Sequence, residues 1–169
     1  MFDAESRPME AANQPREGNP LYFEDLQVGQ QFLSGTHQLD AEQIQRFARE
    51  FDPQPFHTDA DAARDTRFKG LVASGWHTAA ITMRLLVGSG LTIAGGIIGA
   101  GCEITWPKPT PPDSILRVVS EIVDLRRSRS RPDRGIVTLR CETRDQHDET
   151  VQVVIAKIVV PCRTPVSGS

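Results

Sequence analysis

Residues 74–87 read Ser-Gly-Trp-His-Thr-Ala-Ala-Ile-Thr-Met-Arg-Leu-Leu-Val. Ser74 is a good helix N-cap, and Gly88 and Gly90 stop a helix that begins at Gly75. Between them Ala79, Ala80, Ile81, Met83, Leu85, Leu86 and Val87 leave little polar surface. The pattern predicts a helix over Gly75–Val87 buried nearly all round, which some other layer must enclose. That layer follows directly. Ile97–Trp106, Ile115–Leu125, Gly135–Arg144 and Thr150–Val160 are strand-like, with β-branched residues and partial alternation. Pro107, Pro109, Pro111 and Pro112 separate the first two, Asp133-Arg134-Gly135 marks the next turn, and polar Asp145–Glu149 the last. The fold class is therefore α+β, a curved antiparallel sheet wrapped around one central helix.

Upstream, Leu21–Gly29 supplies apolar anchors and a turn glycine, and Gln30–Leu39 reads as a fifth strand. Asp40 with Gln43 resembles a capping box, and Ile44, Phe47, Ala48 and Phe51 give the following helix one apolar face. Asp52-Pro53-Gln54-Pro55 stops it, because proline disfavours the α conformation in the residue before it. Asp59 then caps a short helical turn through Ala63. Residues 1–20, rich in Glu, Pro, Asn and Gln, are expected to be a disordered lead, 21–162 one folded domain, and 163–169 a tail.

The chain has 38% hydrophobic and 24% charged residues, ordinary for a globular domain, and its net charge of -3 argues against nucleic acid or an anionic membrane as partner. Cys102, Cys141 and Cys162 are far apart and odd in number, which fits a reducing compartment and no metal site. The first 20 residues have no apolar run, and the apolar stretch Ala79–Ala100 is broken by Arg84 and glycines. The chain reads as cytoplasmic.

Two clusters could carry chemistry. Asp52 and His57 lie five residues apart in a proline-stiffened turn, where a carboxylate and an imidazole can share one water. By spacing alone the same residues also read as a turn cap and a packed histidine. Gly75, behind Ser74, would put the free N–H groups of a helix N-terminus beside an approaching carbonyl oxygen. The plain alternative is that Gly75 permits a tight approach of backbone to sheet. His77 reads as a core or interface histidine, His37 and His147 lack a companion, and Gly95-Gly96 and Gly99-x-Gly101 are no dinucleotide fingerprint. The basic run Arg126–Arg134 reads as a solvated hairpin end, with a coenzyme A phosphate site as the lesser alternative.

The order YFEDLQVG (22–29), FDPQPFHTDADAA (51–63), GLVASGWHTAA (70–80) and ITWPKPTPPDS (104–114) resembles the MaoC-like dehydratase family, which includes R-specific enoyl-CoA hydratases. The resemblance spans Leu21–Val160. Asp52, Pro55 and His57 match the hydratase motif, whereas Gln54 stands where Asn is usual and Phe51 where a glycine is expected. It implies a hot-dog fold, a homodimer or larger assembly, and reversible hydration of a trans-2-enoyl-CoA to a 3-hydroxyacyl-CoA, the R form. Asp52 and His57 would hold the water, and the Gly75 N–H would take the thioester oxygen with Ser74, Trp76 and Phe56 around the substrate. Phe51 and Met83 are further candidates for shaping the pocket. No metal or redox cofactor is implied, coenzyme A being a handle on the substrate. The alternatives are a hot-dog thioesterase, whose usual acid lies on the central helix, and a non-catalytic acyl-CoA-binding subunit. Gly75–Val87 contains no Asp or Glu, which counts against the thioesterase.

Overall fold

Strand alternation decides the layer on which everything else rests. Along β3 (Ser114–Arg127) Leu116, Val118, Ser120 and Ile122 point inward, and along β4 (Arg134–Arg144) Val137, Leu139, Cys141 and Thr143 do the same. These strands pair antiparallel with each other, β1 (Gln31–Leu39) pairs with β3, and β5 (Thr150–Pro161) with β4. The remaining strand β2 (Ile98–Thr105) joins the far edge beside β5, so the order is β1-β3-β4-β5-β2. Register shifts at Leu33/Thr36, Ile122/Asp124 and Gly99/Gly101 mark irregularities of the kind that bend strands. This is a computed structural model, and it describes residues 19–163. The expected lead up to residue 18 and the tail from 164 onward lie outside the described residues.

Helix α1 (Ala41–Phe51) starts where Asp40 accepts the Gln43 N–H, but the Gln43 carboxamide returns to the Asp40 side chain and the Gln38 carbonyl, not to the Asp40 N–H. Single helical turns α2 (Pro55–Thr58) and α3 (Ala60–Arg64) follow, the second capped by Asp59. The central helix α4 (Gly75–Val87) lies on the inner face against β1 and β3. Ile81, Leu85 and Leu86 join Phe32, Leu116, Ile122, Leu139 and Ile158 in the core. Each such side chain stabilises the fold by roughly 1.5–3 kcal/mol when buried. Leu139→Ala, at a fully enclosed position, would cost about 2–5 kcal/mol.

The α+β arrangement of one helix on one antiparallel sheet is as expected, and so is the hairpin at the basic run, but two local expectations change. Helix α4 is not enclosed all round: Trp76 (60% exposed), Ala80, Met83 (50%), Arg84 and Val87 (60%) form a bare stripe, because one sheet covers only one side of a helix. Phe56 and His57 sit on a helical turn, not in irregular chain, since Pro55 occupies the first helical position where its missing N–H costs nothing. The basic run forms the β3–β4 hairpin end, where Arg127 pairs with Glu24 and Arg134 with Asp133.

Candidate active site

Asp52 is the residue on which α1 ends: its N–H still donates to Ala48 O, but its own backbone has left helical geometry. Pro53 and Pro55 then turn the chain so that α2 brings His57 back toward it. His57 is buried, and its Nε2 lies 3.4 Å from Asp52 Oδ2. Its other nitrogen, Nδ1, is 2.7 Å from the Val72 carbonyl. A carbonyl can only accept, so Nδ1 carries a proton and a neutral ring leaves a lone pair on Nε2. Val72 N–H in turn donates to Phe56 O, and Ala73 N–H to Thr110 O, which fixes the strap carrying Ser74.

Ser74 ties the two clusters together. Its Oγ donates to Asp52 Oδ2 at 2.6 Å and accepts the Trp76 N–H at 3.2 Å, capping α4. Gln54 Nε2 donates to Asp52 Oδ1 at 2.7 Å. Burial by itself pushes the Asp52 carboxyl up, but the bonds from Ser74 and Gln54, with the charge of His57 adding to them whenever that ring is protonated, outweigh it and hold the group below its ordinary value of 3.8. The carboxylate is thus already ionised and already hydrogen-bonded on both oxygens. With a neutral ring, two acceptors, Oδ2 and Nε2, face each other, and only a proton brought between them joins them. A water or a protonated imidazole supplies one.

Asp52, His57, Phe56, Gly75 and Trp76 line a common cavity of about 420 Å³. Gly75 is the first residue of α4, where backbone N–H groups have no intrahelical partner. A Cβ on it would lie 2.6 Å from Trp106 Cε2, so the missing side chain admits the Trp106 ring. That gives the close-approach reading of Gly75 a definite neighbour. Phe56 meets His57 edge-on at 4.4 Å between centroids, and Trp76 meets Trp106 edge-on at 5.8 Å. Ser74 is buried with its hydroxyl committed twice, so it faces Asp52 and the helix end, not the open cavity. Phe51 and Met83 do not line this cavity.

Several lining residues are not among the site residues expected from the sequence: Trp106, Phe68 and Thr110, with Arg67 and Lys108 as the cations. Lys108 is paired with Glu149. The signal that could have found Trp106 is its place in Trp-Pro-Lys-Pro just after a strand, where prolines fix the exit of the chain. Among the described residues no cluster of three or more His, Cys, Asp or Glu could hold a metal ion, and no helix is long and apolar enough to cross a membrane.

A family model described as MaoC like domain matches residues 24–145. Among curated proteins, the chain is 35% identical over 134 residues to the uncharacterized protein YdeM of Bacillus subtilis, covering 78% of this chain and 92% of that one. Among solved structures, it is similar to a MaoC-like dehydratase from Rhodospirillum rubrum, with 56% identity, a TM-score of 0.83, and coverage of 85% of this chain and 99% of that one. R-hydratase PhaJ1 from Pseudomonas aeruginosa shares the fold, with a TM-score of 0.67 at 22% identity over 89% of this chain and 97% of that one.

Proposed function

The chain belongs to the MaoC-like dehydratase family, and from that premise we propose that it hydrates trans-2-enoyl-CoA thioesters reversibly to 3-hydroxyacyl-CoA. The observation that carries the reading is the pair of facing acceptors, Asp52 Oδ2 and His57 Nε2, in one cavity with the start of α4. A water between them donates one hydrogen to each. The thioester carbonyl oxygen lies at the Gly75 N–H.

The steps balance with groups of this chain alone. Both Asp52 oxygens already accept hydrogen bonds, which weakens the carboxylate as a base, so His57 Nε2 takes the proton as the water oxygen adds to the β-carbon. Negative charge moves to the thioester oxygen, where the Gly75 N–H and the positive end of α4 meet it. The imidazolium is held by Asp52 until it returns the proton to the α-carbon. Hydroxyl and hydrogen thus enter from the same side of the double bond. Addition of water changes no net oxidation state, so the scheme calls for no redox cofactor, and none of its steps calls for a metal. The R-hydratase with the same fold supports the R configuration of the product.

The test is ultraviolet absorbance of crotonyl-CoA with purified protein, alongside a thiol assay. Loss of the enone band without thiol release is the expected result. Thiol release would mean a thioesterase, and no change at all a binding subunit.

A further inference from the structure

We propose that Gln152 is a positioning residue for this site: through one hydrogen bond it holds the Trp106 indole as the cavity wall against Gly75. The inference rests on the hydratase reading for its kinetic consequence, while the anchoring itself does not. Gln152 is 0% exposed, on the inner face of β5, and a buried carboxamide must have its partners. Its partners also fix which way it points. The indole N–H of Trp106 can only donate, so Gln152 Oε1 faces it, at 2.8 Å. Nε2 then points at Thr82 Oγ1, also at 2.8 Å.

Thr82 is spent in a compatible way. Its hydroxyl hydrogen goes to the Thr78 carbonyl one turn back at 2.8 Å, leaving its lone pairs for Gln152 and for Thr143 Oγ1 at 2.5 Å. One continuous network thus runs from α4, through Gln152, to the indole. Right beside that N–H, ring atoms Cε2 and Cζ2 crowd the place where a Cβ on Gly75 would be. Trp106 also lines the cavity with Asp52, His57 and Gly75, so a shift of the ring alters the space open to a substrate there. A leucine or methionine at 152 would fill the same space. Only a side chain with an acceptor at this point fixes the angle of the ring.

The experiment compares Gln152→Met, Trp106→Phe and the double variant, each checked for folding by circular dichroism. Misplacement of the wall by about 1 Å is expected to lower kcat 10- to 100-fold, with KM on crotonyl-CoA changed much less. Trp106→Phe, which removes the donor together with part of the wall itself, should show at least as large a loss, and the double variant no further one. An anchoring readout is independent of turnover. Trp106 is the sole tryptophan once Trp76→Phe is made, and Gln152→Met in that background should make its emission more accessible to acrylamide. Unchanged quenching, an unchanged kcat in folded protein, or losses that add in the double variant would each overturn the proposal. Should Gln152→Met fail to fold, a Trp106→Phe enzyme with normal kcat overturns it equally. A wild type inactive on crotonyl-CoA would remove the hydratase reading and with it the kinetic role, whereas quenching would still decide the anchoring.

Discussion

The Ser74 hydroxyl joins Asp52 to the first turn of α4, donating to Oδ2 at 2.6 Å while accepting the Trp76 N–H at 3.2 Å. One atom therefore serves both a carboxylate and a helix end. Ser74→Ala should remove the cap, at a cost of about 1 kcal/mol, and also release the Asp52 carboxyl upward toward its ordinary range. The sign follows from the direction of the Asp52 shift. A depressed folded value contributes stability at neutral pH that is lost as pH falls through and below 3.8. The stability gap between wild type and variant, read by urea unfolding, is thus widest at neutral pH and narrows in acid. A gap independent of pH would mean that the bond to Asp52 contributes nothing.

Asp52 and His57 share one water in the proposed mechanism, so their losses should not add. Asp52→Asn and His57→Gln should each lower turnover roughly 100-fold to 10,000-fold. The double variant should be little worse than the poorer single one. Turnover of crotonyl-CoA by the three proteins, each shown to be folded, is the measurement. Near-normal turnover in a folded single variant would move the chemistry to other residues.

Much of this was legible in the sequence because it depends on neighbours in the chain. Asp40, Ser74 and Asp59 cap where short polar residues precede helical runs, and the alternation along 115–160 sets out three strands within a few residues of their ends. What depends on distant pairing was not legible. Nothing local to Ile98–Thr105 says that it passes its sequence neighbour β3 and pairs with β5. The apolar composition of α4 says that it packs, not which side is covered, so Met83 and Val87, which the composition puts inside, lie exposed. The contact of Trp106 with Gly75 and its bond to Gln152 span 31 and 46 residues, and no periodicity carries such information.

Gly75 faces the Trp106 ring more closely than any Cβ tolerates, which changes what its substitution tests. Gly75→Ala should overpack this point and cost about 1–3 kcal/mol of stability. In a Trp106→Leu background the same change should cost markedly less, a coupling that a double-mutant cycle in urea reads directly. Equal costs in both backgrounds would mean that another neighbour requires the glycine.

The bare stripe of α4 calls for a cover. Trp76, Met83 and Val87 lie exposed on it, an apolar cavity of about 330 Å³ opens beside Met83, and β2 leaves an unpaired sheet edge along the same region. We propose that a second copy of this chain covers that surface, because a matching strand edge and a matching apolar stripe are what another copy brings. Sedimentation at micromolar concentration should give at least twice the 18.7 kDa of the chain, and Met83→Glu should shift it toward the monomer. A wild type that sediments only as a monomer would sink the idea.

His77 provides the last prediction. It stacks on Phe47 at 4.5 Å with the rings 5° from parallel, and its buried Nδ1 has no hydrogen-bond partner. Burial, with the nearby His37 and Arg46 adding to it, lowers the group from 6.5 to about 4. Between those values the unfolded chain binds a proton that the folded chain does not, so acid draws the protein toward the unfolded state. Stability should fall as pH drops through this window and level off below about 4, where the folded form is protonated too. His77→Phe keeps an aromatic ring on Phe47 and removes the titration. It should match the wild type at pH 7 and lose less between pH 7 and 5 in urea unfolding, since every other titrating group is common to both proteins. Curves that fall in parallel would show that the acid sensitivity resides elsewhere.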